Sequence, residues 1–288
     1  MASLRTIRRR IRSVEKTKQI TKAMRIVAAT KFKKAEQRLK ESRPYSDKLN
    51  SMLSNLSKVV GEYQHELLNP RSVQTQLLVV IGSDKGLCGS YNAGLIRKAE
   101  EFLKAPDHKI KKVVTVGKKM FMALQKRGYS IVKDYSDFGG KVQYDQIINI
   151  MQFLVQGFQF RSWDEVIILY SAFKSAVSNV PTLIPLLPIA WQDSSDSQDH
   201  VSIDYIFEPS PKEILDQLIP KLLNFKFFYY MAEALTSEHS ARMVSMQNAT
   251  ENATDMIQRL TLVRNKVRQA TITKEISEIV GGVEALKG

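Results

Sequence analysis

The stretch GSDKGLCGSYN, Gly82–Asn92, follows the apolar run QLLVVI. A glycine-rich turn between a strand and a helix is how many proteins cradle phosphate, because small residues let backbone N–H groups close on an anion at a helix N-terminus. The residue types here do not complete that chemistry. A P-loop needs G-x-x-x-x-G-K-[ST], and neither Gly86 nor Gly89 is followed by Lys-Ser or Lys-Thr. The dinucleotide fingerprint G-x-G-x-x-G is missing as well. Asp84 would repel a phosphate set against the loop. The stretch therefore reads as a tight strand-to-helix turn whose glycines serve positive φ or close approach. Cys88 has no histidine nearby in sequence to activate it, and it reads as a small packed residue.

The other chemistry-bearing residues are sparse. Cys88 is the single cysteine, which excludes an intrachain disulfide, a thiol switch within the chain and a cysteine-built metal site. His65, His108, His200 and His239 are scattered and offer no ligand spacing. No catalytic residue, metal or cofactor is expected. The formal net charge of +14 points to an anionic partner. Met1–Lys48 carries sixteen Lys or Arg against four Asp or Glu. Such a face could bind DNA with steep salt dependence, which keeps a basic coiled-coil nucleic-acid-binding protein as the alternative. Aromatic interleaving and base-reading motifs are missing, and a solvated face or a fit to an acidic surround explains the charge as well. A dinucleotide-dependent enzyme is disfavoured by the missing fingerprint.

Three segments must position these residues. From Met1 to Arg43 there is no Gly or Pro, and Leu4, Ile7, Ile11 and Val14 alternate spacings of three and four. Lys18, Thr21 and Arg25 keep that register, and Ala28, Phe32, Ala35 and Leu39 restore its apolar character. Pro44 is a candidate kink and Gly61 a candidate stop. The middle alternates strand-like runs (LLVVIG, KVVTVG, YSIVKD, EVIILYS, VSIDYIFEP) with amphipathic stretches, which predicts a three-layer α/β domain with a largely parallel sheet. Beyond Pro211 the chain is helical again, and Ala249, Ala253, Met256, Leu260, Val263, Val267 and Ala270 hold heptad spacing. The predicted boundaries are residues 1–60, 74–208 and 211–286. The fold class is α/β plus coiled coil: long N- and C-terminal helices pair antiparallel, with an inserted Rossmann-like α/β domain. No stretch is apolar enough for a transmembrane helix, and the basic start lacks the apolar core of a signal peptide.

The two ends carry a resemblance. ASLRTIRRRIRSVEKTKQITKAMRIVAATK and SEHSARMVSMQNATENATDMIQRLTLVRNKVRQATITKEISEIVGGVEAL resemble the terminal helices of the γ subunits of F-type ATP synthases. GSDKGLCGSYN resembles that family's loop after the first central strand, with Lys85 where relatives usually have Arg. The resemblance implies a central-stalk rotor subunit with no active site of its own. It couples proton (or sodium) flow through a membrane c ring to conformational change at catalytic β subunits. Its implied partners are three α and three β subunits, the ε subunit and the c ring, at the cytoplasmic face of a bacterial membrane. A two-helix shaft has no threefold symmetry, so it would touch each β subunit of a threefold ring differently.

The resemblance also nominates residues. Met24 in KAMRIVAATK matches the methionine near the β-subunit lever. Arg242 in SARM, with Gln269 and Thr273 in RQATIT, matches polar positions involved in coupling. Tyr205 and Glu208 in DYIFEPSP match a foot segment near ε and the c ring. Read from the residues alone, Met24 is coiled-coil core and Arg242 a solvated charge. The tail adds an expectation from geometry. If the helices pair antiparallel from a shared foot, equal rise places Met1 opposite a residue between about 270 and 280. Ile272, Ile276, Ile279, Val283 and Leu286 then form an apolar stripe with no partner in the chain, suited to an apolar collar at the top of an α/β ring. The bland alternative folds the tail back after Gly281-Gly282.

Overall fold

The computed structural model describes residues 4–60, 65–107, 109–138, 142–175, 178–189 and 210–285. Its elements in chain order are α1 (Leu4–Val60), β1 (Thr75–Ile81), α2 (Tyr91–Leu103), β2 (Ile110–Val116) and α3 (Lys118–Lys126). They continue with β3 (Ile131–Tyr135), α4 (Tyr144–Gln159), β4 (Glu165–Ser175), β5 (Ser178–Leu187) and α5 (Pro211–Ala285). Pro44 lies inside α1 and Pro220 inside α5. Gly61 and the run VSIDYIFEP lie outside the described residues. The chain divides into two compact units, one of residues 1–28 with 243–288 and one of residues 29–242.

The first unit is a pair of helices. On α1 of this unit the buried and half-buried stripe is Leu4, Ile7, Ile11, Val14, Lys18, Thr21, Arg25 and Ala28, a strict alternation of three and four, with Thr6 and Met24 half-buried beside it. On α5 the matching stripe is Met246, Thr250, Ala253, Ile257, Leu260, Arg264, Val267 and Thr271. The Thr250 hydroxyl lies 2.9 Å from the Thr21 hydroxyl and fixes one level of the pairing. From that level, Leu4 is seventeen residues toward the N-terminus of α1, and burial on α5 persists to Thr271, toward its C-terminus. Only an antiparallel pair puts those ends together: a parallel pair levelled at Thr21 and Thr250 would set Leu4 against residue 233, which belongs to the other unit.

This seam corrects the sequence register on α5. Ala253, Leu260 and Val267 line it as expected. Met256 is 53% exposed, Val263 is 49% exposed and Ala270 is exposed. Ile257, Arg264 and Thr271 take their places, because apolar residues stand on both sides of the seam and spacing alone does not choose between the flanks. Lys18, Arg25 and Arg264 sit at seam positions through their aliphatic stems.

The second unit is a three-layer sandwich on a five-stranded sheet of order β3-β2-β1-β4-β5. β1 pairs parallel with β2 and β4, β2 pairs parallel with β3, and β5 runs antiparallel to β4. Side chains alternate between the faces. Leu77, Val79, Ile81, Val166 and Ile168 join a core with Ile147, Leu154 and Phe158 of α4 and with Leu215, Ile219, Leu223 and Phe227 of α5. Leu78, Val80 and Leu169 join a second core with Leu95 of α2 and with Met120 and Leu124 of α3. β5 has no counterpart among the predicted strands. Its Pro181 and Pro185 argue against a strand in sequence, yet an edge strand tolerates missing N–H donors.

Candidate functional site

The loop after β1 sits where the sheet's parallel strands end, the usual ligand crevice of doubly wound folds. Gly82 donates its N–H to the Val116 carbonyl (2.8 Å), and Lys119 donates to the Ser83 carbonyl (3.0 Å), so the loop lies against the turn that opens α3. Gly117 at that turn has φ +102°, and an added Cβ would stand 2.7 Å from the Gly82 carbonyl oxygen; only glycine fits. Ser83 and Asn92 exchange side-chain hydrogen bonds of 2.7 and 3.0 Å and close the loop on itself.

Asp84 occupies the anion seat. One of its oxygens accepts the N–H groups of Lys118 (3.1 Å) and Asp137 (3.2 Å), and the other accepts that of Phe138 (3.0 Å). Lys118 is the first residue of α3, so the carboxylate faces a helix N-terminus, and Asp137 adopts φ +65°. The carboxylate fills the place a phosphate would need, and its charge opposes a second anion there. Sequence reading saw the repulsion but not that Asp84 is itself the bound anion.

Arg242 holds the loop from the other side. Its Nε donates to the Gly86 carbonyl (3.2 Å) and its Nη2 to the Lys85 carbonyl (2.9 Å). Its Nη1 lies 2.7 Å from Glu238 Oε1 and 3.4 Å from His239 Nδ1. The side chain is 12% exposed, so Arg242 is not a solvated charge. Tyr91 adds a third link, its hydroxyl donating to the Ala234 carbonyl at 3.1 Å. Leu87 at the tip is 60% exposed with φ +62°, while Cys88 is buried, its Sγ 3.2 Å from Asn92 Nδ2. A cleft of about 160 Å³ opens beside these groups, with Lys31, Asp84, Phe138, Met231 and Glu238 among its walls.

Burial governs the titrating groups. Desolvation pushes the Glu238 carboxyl above its ordinary value, and the Arg242 charge opposes that rise. Desolvation likewise raises the Cys88 thiol and the Tyr91 phenol, so both are protonated at neutral pH. Glu238 and His239 escaped sequence reading. The available signal was the run Thr236–Ser240, five polar residues in a row inside a helix, all of them buried.

The other nominated residues that the structure describes belong to the first unit. Met24 is half-buried in the first unit, while Gln269 and Thr273 are exposed there. Gln269 lies nineteen residues beyond Thr250 on α5, an axial distance of about 28 Å, so these positions form two zones. Ile272, Ile276, Ile279 and Val283 are 46%, 55%, 66% and 47% exposed on a helix that runs on to Ala285. Leu286, Tyr205 and Glu208 lie outside the described residues. Among the described residues no cluster of His, Cys, Asp or Glu could hold a metal, and no helix is long and apolar enough to cross a membrane.

The family model described as ATP synthase matches residues 3–286. The chain is 39% identical over 287 residues to the ATP synthase gamma chain of Pelotomaculum thermopropionicum and 41% identical over 290 residues to that of Geobacter metallireducens. Both alignments cover 100% of each chain. Among solved structures it is similar to a chain of the Euglena gracilis mitochondrial ATP synthase OSCP/F1/c-ring structure, with TM-score 0.69, 19% identity, and 98% and 94% of the two chains covered. It is also similar to a chain of the Tetrahymena thermophila mitochondrial ATP synthase central stalk/cring structure, with TM-score 0.60, 23% identity, and 80% and 99% covered. At those identities the structures speak for the fold, and the fold they share is the one described above. With two end-to-end matches near 40% identity and a family model spanning both long helices and the inserted sheet, the chain belongs to the ATP synthase gamma chain family.

Proposed function

We propose that the chain is the turning central-stalk subunit of a rotary ATP synthase, and that it does no chemistry of its own. It works inside a ring of three α and three β subunits, which hold the nucleotide sites. Its foot meets ε and a c ring that passes protons or sodium ions. It is peripheral to the cytoplasmic face of a bacterial membrane and held there by its partners. The three sequence segments, 1–60, 74–208 and 211–286, serve as ascending helix, foot domain and returning helix.

The observation that carries this reading is the outer surface of the helix pair. The seam uses Ile257, Leu260 and Val267, yet Ile20, Ile26, Val27, Met256, Leu262 and Val263 stay exposed. Apolar residues left on the outside of a rod fit a rod that works inside another protein. A pair of unlike helices presents a different face in each direction. Turning it within a threefold ring changes which β subunit meets which face, and differential contact is what shifts a conformational equilibrium. Met24 at one level, and Gln269 with Thr273 at the other, are the shaft positions proposed to touch the β subunits. Arg242, whose donors are held inward, contributes through the loop it grips. Ile272, Ile276, Ile279, Val283 and Leu286 turn in the apolar collar.

The test is assembly. Purified with α and β subunits, the chain is expected to co-elute as one copy per ring and to remain bound at high salt. Failure to join the ring, or nucleic-acid binding that vanishes with salt, overturns the reading.

A further inference from the structure

We infer that the Gly82–Asn92 loop is a mechanical clasp, with Asp84 and Arg242 as its two positioning residues: Asp84 fastens the loop to the sheet, Arg242 fastens it to α5, and load passes between the two through Asp84–Gly86. The load-carrying half of this inference rests on the proposed rotor function.

Elsewhere in this unit α5 meets the sheet mainly through apolar side chains, among them Leu215, Ile219, Leu223 and Phe227, with one directional bond in which the Phe173 N–H of β4 donates to Glu233 (3.3 Å). Apolar burial is strong but non-directional, and it resists separation better than sliding. The loop supplies direction. Asp84 takes N–H groups from two separate segments, the start of α3 and the stretch after β3, at 3.0–3.2 Å. One and two residues later, the carbonyls of Lys85 and Gly86 receive Arg242 at 2.9 and 3.2 Å. No slack chain separates the two grips. Hydrogen bonds with a charged partner are the stronger kind, and the planar guanidinium holds both carbonyls while Glu238, one helical turn earlier, fixes its plane. A lysine ammonium has no such fork. The Tyr91 bond to Ala234 and the Ser83–Asn92 pair close the far side, so a pull on α5 meets a braced loop.

Cys88 makes the clasp observable. It is the single cysteine, it is buried in the loop, and it follows the gripped carbonyls of Lys85 and Gly86 by three and two residues. In the isolated full chain, Asp84→Ala and Arg242→Ala are each expected to speed Cys88 alkylation by at least about tenfold, because the loop opens locally. The double variant should be no faster than the faster single one, since either break frees the same loop. In the assembled complex in vesicles, both variants should lower the ratio of ATP-driven ion pumping to ATP hydrolysis by about three- to tenfold. Asp84→Asn, which keeps one oxygen acceptor, should recover part of that ratio, and Arg242→Lys should recover little.

If a variant fails to fold by circular dichroism, Asp84→Asn and Arg242→Lys carry the same measurements. Alkylation at the wild-type rate in both variants overturns the clasp. Faster alkylation with an unchanged pumping ratio overturns the load-carrying role. A pumping defect in Arg242→Ala alone, with Asp84→Ala silent, assigns Arg242 to a stator contact and also overturns the clasp. If the wild-type chain does not join α and β subunits, the rotor reading fails, while the alkylation result still decides whether the loop is fastened as inferred.

Discussion

Asp84 does at the end of β1 what a bound phosphate does in a nucleotide-binding sheet, and it is tethered there by the chain. The isolated protein is therefore expected to show no stoichiometric ATP site at or below ~10 μM by calorimetry; a site of that strength would mean that Asp84 is displaced. Glu238 gives a pH signature. Its carboxyl is raised in the folded state above an ordinary value of 4.5. Between the two values the folded chain holds a proton that the unfolded chain has lost. Glu238's contribution to stability is thus complete below the unfolded value and lost as pH rises through the folded one. Denaturant titrations of the isolated chain should show that descent, and Glu238→Gln should flatten it. The residue types of this site were partly legible. Gly82, Gly86 and Gly89 announced a tight turn, and the broken phosphate motifs argued against a cradle. The grip of Arg242 on the Lys85 and Gly86 carbonyls joins residues 157 and 156 positions apart, and no local pattern encodes such a pairing.

Among the elements, sequence pattern located the long helices and β1 to β4 because each carries its own period. It placed α5's seam one flank off because Met256 and Val263 extend the apolar stripe past its contact. Truncation separates the flanks. Ile257→Ala is expected to cost about 1–2 kcal/mol in the isolated chain, and Met256→Ala less than about 0.5 kcal/mol, by equilibrium unfolding. Equal losses would return the seam to the sequence register. β5 stayed hidden because proline is a poor strand residue everywhere except at an edge. Where β1, β2 and α3 converge, the fold rests on one glycine. Gly117→Ala would meet the Gly82 carbonyl at 2.7 Å in a positive-φ conformation, and a loss of about 2 kcal/mol or more is expected in thermal or denaturant unfolding.

At the scale of the molecule, the tail separates two kinds of burial. Ile279 is 66% exposed in the chain alone, so Ile279→Asp should leave the melting temperature of the isolated protein within about 1–2 °C of wild type. Incorporation into the α/β ring should weaken, since burying an unpaired carboxylate costs several kcal/mol or forces its protonation. A variant that melts early and assembles normally would place the stripe inside the chain and remove the collar.

The contact between Thr21 and Thr250 spans 229 residues of sequence. During synthesis at about 5–20 residues per second, the first helix waits roughly 10–50 s for its mate to leave the ribosome. Through that interval it is half of an unsatisfied interface in a crowded compartment. Two nascent copies could pair with each other through Leu4, Ile7, Ile11 and Val14. Lys18 and Arg25 stand on the same stripe, and pairing two copies would press like charges together. In the finished chain those positions face the level of α5 that carries Met246, Thr250, Ala253 and Ile257. The polar stretch in the seam is thereby expected to disfavour the neighbouring copy that arrives first and to tolerate the helix of the same chain that arrives last.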